Sequence, residues 1–348
     1  MSAYVDSCLA EYDCARAEGL GAVRTVFLGG GTPSQLPPDE LVRLLAPVER
    51  ADGAEVTAEA NPEDVTVQWL QACRQAGINR ISLGVQSLDE AVLEGLGRSH
   101  DAKAVVAAAC RIADAGIARY SVDLIFGGAG ESDASWRRTL TGVLSLDPPP
   151  RHVSAYALTV EPGTPLWRER ARHPDDDVQA ARYEICDEML SAAGLEWYEI
   201  SNWAAAGEEC RHNVNYWRQG DYWGIGCAAH SHAGGRRWWN VRTPERYVKA
   251  IRSGKSPVAA SEILPRTTRA AENLELSLRT RAGVPSGALA TALTAEPRLG
   301  DLVSHVRSGG ETRAVLTLRG RLLANEVACR LEVAGSTCAP PAMYTQRA

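Results

Sequence analysis

Three consecutive glycines, Gly29 to Gly31, directly follow the apolar run 24–28 and lead into Thr32, Pro33 and Ser34. With no Cβ in the way, the backbone there can close on a charged ligand or simply turn the chain tightly. Glu59 ends the run 55–59, where a carboxylate commonly holds ribose hydroxyls in nucleotide-binding folds. The capping types Asn61, Glu63 and Asp64 beside it suit a helix start instead. Gln86 follows the run 80–84, and Arg98 and His100 lie in a loop before Asp101; a solvated arginine is the plain alternative for Arg98. Asp123 stands between Val122 and Leu124 in an otherwise apolar run. A carboxylate buried there needs a partner, whether a ligand hydroxyl, Arg98 or a backbone amide. A separate stretch, ECRHNVNYWRQGDYWGIG, puts His212 four residues before Tyr216, with Trp217 next and Cys210 close by. An imidazole and a thiol among aromatics can ligate a metal, and they equally suit a structural loop.

These residues need a scaffold, and the pattern supplies one. Strand-like runs at 24–28, 55–59, 80–84, 120–126, 152–158 and 196–200 alternate with helical periods. The helices carry good punctuation: Pro37-Pro38, Asp101 with Gly116, Ser132, and the acidic turn at 175–177. Alternating β and α predicts a parallel sheet, open or barrel-like, that binds ligands at the carboxyl ends of its strands. Residues 203–262 are rich in Gly, Trp, Tyr and His, with little helical period. From Leu264 onward a helix, a strand and a second helix predict a small further domain. Pro340 and Pro341 mark a disordered tail.

The chain has 348 residues, 45% hydrophobic and 23% charged, with a formal net charge of −6. That is a globular composition, and an acidic one argues against a nucleic-acid partner despite Arg319, Arg321 and Arg330. Asp6, Glu11, Asp13 and Glu18 exclude a signal peptide, and no run is long and apolar enough to span a membrane. A cytoplasmic protein is expected. The 9 cysteines are dispersed without any CxxC, which suits core residues in a reducing compartment.

GGGTPS, EANPED, RISLGVQSLDEAVLEGLGRSH and SVDLIFG, in that order and spacing, resemble the radical S-adenosylmethionine (SAM) superfamily. HVSAYALTVEPGTPL, WYEISNWA, HNVNYW and DYWGIG resemble, within it, the haem chaperones of the HemW type. The resemblance runs from about Tyr4 to Leu331 and implies an α/β fold. Residues 1–205 would form a partial (β/α) barrel of the radical SAM type and 206–262 an aromatic, His-rich extension. A small C-terminal helical, winged-helix-like domain would occupy 263–334, and the tail 335–348. It implies SAM held by Gly30, Gly31 and Thr32 at the methionine end, Glu59 at the ribose, Gln86, Arg98 and Asp123 completing the pocket, and Thr159 near the adenine. It implies haem contact at His212, Tyr216 and Trp217, with His230 matching a family histidine. The implied function is haem binding and delivery to apoproteins, membrane-associated ones included. The alternatives are oxygen-independent coproporphyrinogen III oxidation in porphyrin biosynthesis, or an inactive truncated remnant. The family's [4Fe–4S] cluster rests on a CxxxCxxC motif, which this sequence does not contain. The first strand and the cluster loop are therefore expected to be missing, and no metal ligands are assigned.

Overall fold

The structure is a computed structural model and describes residues 1–332. The tail expected at 335–348, and the last two residues of the domain expected at 263–334, lie outside the described residues. Two compact units form. The first comprises Met1–Trp197, Ser201–His212 and Pro244–Lys255; the second comprises Tyr198–Ile200, Asn213–Thr243 and the chain from Ser256 onward.

The main sheet has seven strands: β1 Val23–Leu28, β2 Arg50–Ala60, β3 Arg80–Gln86, β4 Arg119–Phe126, β5 His152–Ala157, β6 Glu196–Glu199 and β7 Asn202–Ala204. Their order is β1-β2-β3-β4-β5-β7-β6, curled into a half-barrel. Neighbours from β1 to β5 are parallel, as alternation with helices requires. The sixth strand expected at 196–200 is β6, but it does not neighbour β5, because β7 lies between them. Only Ile200 and Ser201 separate β6 from β7, too few residues for a crossover, and β7 pairs antiparallel with β5.

Side chains alternate across this sheet. Val56, Ala58, Ile81, Leu83, Val122, Leu124, Val153 and Trp203 point to the outer face and are fully buried under the helices. Helix starts follow the sequence signals. Asp101 accepts from the Ala104 amide at 2.8 Å, Ser132 from Ser135 at 3.1 Å and Asp175 from Val178 at 3.0 Å. Each helix is thereby fixed at the end that follows a loop from the strand tips.

The second unit holds two antiparallel sheets. One consists of β8 His230–Ala233, β9 Arg236–Asn240 and β10 Val258–Ile263, in the order β10-β9-β8. The other consists of β11 Val284–Pro285, β12 Val303–Ser308 and β13 Glu311–Leu316, with β13 central. This second sheet and its helices share a core of Leu278, Val284, Leu289, Leu299, Leu302 and Leu316. The C-terminal helix expected over LLANEVACRL is two short helices, Leu318–Leu322 and Ala324–Ala328, broken at Leu323. The stretch 203–262 contains more helix than its pattern promised, Arg211–Trp217 and Pro244–Arg252. The latter belongs to the first unit, where Tyr247 is completely buried and its hydroxyl meets Glu11 at 2.5 Å.

Candidate functional site

Where the outer face of the half-barrel is apolar, the inner face is polar. Strand alternation puts Thr25 and Phe27, Glu55, Thr57 and Glu59, Arg80 and Ser82, Ser121 and Asp123, and His152 and Ser154 on that side. These groups separate into two tiers, one near the carboxyl ends of the strands and one near the amino ends.

The upper tier assembles the strand-end residues. Gly30 and Gly31 have φ of 79° and 65°, a left-handed turn that glycine adopts without strain, and open space lies where their Cβ atoms would be. The turn brings the Gly30 amide to Glu59 Oε2 at 3.2 Å. Gly29 is needed for a different reason: a Cβ there would stand 2.5 Å from the Phe27 ring and 3.2 Å from Glu59 Oε1. Ser34 at the end of GGGTPS donates to Asp64 at 2.7 Å and accepts from the Asn61 amide at 3.4 Å, so the two loops are stitched together. Burial raises the Glu59 pKa against the opposing Gly30 hydrogen bond, and the charge of Asp123 raises it further. Asp123 is itself raised by burial, although Ser82, at 2.7 Å, and Ser154 donate to it and Arg80 opposes the shift. Its partners are thus serines of neighbouring strands. These serines stand where Arg98 or a backbone amide was expected: Ser154 faces Asp123 directly in β5, and Ser82 lies two residues before Gly84, its register partner in β3. Thr57, one inward position below Glu59, keeps its hydroxyl buried without a hydrogen-bond partner. It was not singled out from the sequence, where a threonine in a strand carries no signal.

The remaining expected pocket residues are placed at the strand ends but not in direct contact with this group. Gln86 is buried and held at φ 65°, an uncommon conformation for a residue with a side chain. Thr32 caps a short helical turn, Pro33–Gln35. Arg98 is half-buried in a loop tied down by its neighbours: Ser99 donates to Glu63 at 3.1 Å, and His100 bridges Glu63 and the Val85 carbonyl. Thr159 is exposed and its hydroxyl lies 3.5 Å from the Ala157 carbonyl. Beyond β4, the loop from Gly127 is held by Glu131, which accepts the Gly127 amide at 2.7 Å and pairs with the buried Arg182 at 3.0 Å.

The lower tier is an ionic plug. Glu55, completely buried, pairs with Arg119 at 3.2 Å and accepts from the His212 amide at 3.1 Å and the Cys210 thiol at 3.5 Å. Arg119 reaches Glu208 at 2.8 Å, and Arg80 donates to the Glu208 carbonyl at 3.1 Å. The segment 208–212 is thereby drawn across the amino ends of β2, β3 and β4. His212 belongs to this plug. Its Nδ1 lies 2.8 Å from the Thr25 hydroxyl, its ring stacks on Phe27 at 5.3 Å, and burial lowers its pKa in spite of Glu55. Tyr216 and Trp217, grouped with His212 in the sequence, lie in the second unit. Tyr216 is 42% exposed and meets Tyr222 edge-on at 4.6 Å. Among the described residues no three His, Cys, Asp or Glu side chains converge to hold a metal ion.

Comparison with known proteins adds three findings. Residues 3–141 match the model of the radical SAM superfamily. The chain is 43% identical to "Heme chaperone HemW" of Mycobacterium tuberculosis over 88% of this chain and 80% of the relative. It is 33% identical to the protein of the same name in Bacillus subtilis, over 88% and 84%. Among solved structures it is similar to coproporphyrinogen III oxidase (HemN) from Escherichia coli, with a TM-score of 0.79 and 20% identity, covering 94% of this chain and 82% of that one. This last likeness is one of fold.

Proposed function

Because the chain belongs to the HemW family within the radical SAM superfamily, we propose that it binds haem and SAM and hands haem to apoproteins. The acceptors include membrane-associated ones, met from the cytoplasmic side. Among the described residues no helix is long and apolar enough to cross a membrane.

The observation that carries the SAM part is the contact of the Gly30 amide with Glu59 beside the buried Asp123. The residues fit the group. Glu59 presents a desolvated carboxylate for the two ribose hydroxyls, and a carboxylate accepts from hydroxyls more strongly than a neutral oxygen does. Gly30 and Gly31 let backbone groups approach the methionine end, and Thr32 adds a hydroxyl at the exit of that turn. The orphaned Thr57 hydroxyl offers a further partner within the half-barrel. Gln86, Arg98 and Thr159 complete the rim of the pocket in this reading. Bound SAM supplies an adenosyl and a sulfonium group. The chain's part is to orient them, to exclude water from the inner face and to keep Glu59 ionised against its raised pKa, which the ligand's positive charge favours.

Among the described residues no three His, Cys, Asp or Glu side chains converge that could hold the [4Fe–4S] cluster which the superfamily implies. Haem is the cargo, taken up by the aromatic and His-rich stretch of the second unit that contains Tyr216 and Trp217. Titrating the full chain with haemin tests the proposal. A Soret band distinct from free haemin and saturating near one haem per chain is expected, followed by its transfer to an apoglobin used as acceptor. A spectrum identical to free haemin throughout the titration refutes the chaperone reading.

A further inference from the structure

Among the histidines that stand beside aromatic rings, His212 and His230 differ in their surroundings. His212 has one nitrogen committed to Thr25, a face committed to Phe27 and a backbone amide on Glu55. His230 opens β8 with an exposed imidazole whose nitrogens have no hydrogen-bond partner among the described residues. Its ring stacks on Trp239, directly across the β8–β9 pair, with centroids 5.8 Å apart and planes 23° from parallel.

The face that carries His230 holds further aromatic rings beside an ion-paired arginine, Arg237, which lies across from His232 and meets Glu262 and Glu272. His232, two residues on and therefore on the same side, pairs with Tyr222 through an isolated bridge, with rings 6.2 Å apart. Tyr222 in turn meets the exposed Tyr216. His230 and Trp239 thus stand on one side of the sheet with the buried His232, and Tyr222 and the helical Tyr216 extend that side beyond its edge, all within the second unit.

The backbone holds this arrangement rigidly. Gly224 packs so tightly against the chain that a Cβ would fall 2.1 Å from the His230 carbonyl, and its amide donates to Ser231 at 2.9 Å. Ala228, two residues before His230, is held at φ 58°. The buried Asn240 clamps that turn, donating from its side chain to the Gly226 carbonyl at 2.8 Å and from its amide to Ala229 at 2.9 Å. A side-chain-bearing residue in this conformation persists only where its surroundings over-determine it, and such strain clusters at ligand sites.

We propose that this face is the haem platform and that His230 is the protein ligand to the iron. Aromatic faces pack on porphyrin, and a neutral imidazole is a common axial donor. The bond formed is dative: a ring-nitrogen lone pair enters the coordination sphere of ferric iron and displaces a water, with no change of oxidation state. His212 is then a structural residue of the barrel plug. This inference rests on the chain being a haem carrier, and the experiment separates the two claims.

The full chain and its His230→Ala, His230→Cys and His212→Ala variants are titrated with haemin and followed by the Soret band and ferric EPR. If the native chain binds haemin, His230→Ala is expected to weaken binding by at least about tenfold and to lose the imidazole signature. Added imidazole restores that signature, and His230→Cys gives a thiolate spectrum. His212→Ala retains the native coordination signature. An unchanged signature in His230→Ala overturns the ligand assignment and leaves the chaperone reading intact. So does a loss that imidazole does not restore, or loss of the signature in His212→Ala alone. No binding by the native chain overturns the chaperone reading itself.

Discussion

Replacing Glu59 with glutamine keeps the shape of the side chain and removes its charge, so it isolates what the carboxylate contributes to ligand binding. In the ligand-free protein Glu59 accepts one hydrogen bond, from the Gly30 amide at 3.2 Å, and its pKa is raised chiefly by burial. The desolvation of the carboxylate is therefore already part of the folded state. A ligand that donates two hydroxyls gains hydrogen bonds to a charged group, each contributing about 1.5–3 kcal/mol. Glutamine retains one acceptor oxygen and turns a donor toward the other hydroxyl. The expected loss is about 2 kcal/mol, a dissociation constant about thirtyfold larger. Equilibrium dialysis of labelled SAM against the full chain and the variant measures it directly, with far-UV circular dichroism confirming the fold. Affinity within twofold of the native chain, in a folded variant, would refute the placement of the ribose at Glu59.

Four further outcomes follow from the same geometry. Because the Glu59 pKa is raised, SAM affinity is expected to climb as pH rises through that shifted value, and Glu59→Gln should flatten this limb; an equally steep profile in the variant counts against the assignment. The sign for folding is opposite. Carboxyls raised in the folded state, Glu59 and Asp123, stabilise it below the ordinary carboxylate range and lose that contribution as pH rises, so urea midpoints of the empty protein should gain on acidification in Glu59-containing chains relative to Glu59→Gln. Gly29→Ala should cost about 1–3 kcal/mol by overpacking, since the new methyl meets a Phe27 ring that His212 holds in place, and urea denaturation would read it. Glu131→Ala leaves the buried Arg182 without its closest carboxylate, an expected loss of about 3 kcal/mol in the same assay; a midpoint equal to the native one would show that the Gly127–Glu131 loop does not depend on this pair.

Much of the scaffold could be read from the chain, and what could not has identifiable causes. The apolar run at 24–28 lies within β1, and Asp101, Ser132 and Pro38 start their helices where the capping rules place them. β2 begins at Arg50, five residues earlier than its apolar run, because Arg50 pairs with Val23; Asp52 and Gly53, of low strand propensity, fall in the irregularity between that pair and Thr25–Glu55. β7 is three residues long, Asn202–Ala204, below the length at which alternation shows. The helix Pro244–Arg252 hid in a stretch dominated by Trp, Gly and His, although proline at its start was a usable signal. At the site, Gly30 and Glu59 were legible because strand-end chemistry has a sequence signature. The partners of Asp123 were not, since Ser82 and Ser154 meet it only through the register of three strands. The separation of His212 from Tyr216 was hidden as well, because four residues of helix say nothing about which unit each end serves.

The charged plug around Glu55, Arg119 and Glu208 has a kinetic corollary. With the amino-end mouth of the half-barrel stoppered by paired ions that are costly to separate, a small molecule meets the inner face from the end that carries the glycine turn and the tip of β5. Arrival and departure then share the same gate residues. A substitution at that gate, whose glycine turn and Thr159 also contact the ligand in the proposed reading, should change both rates and the equilibrium constant together.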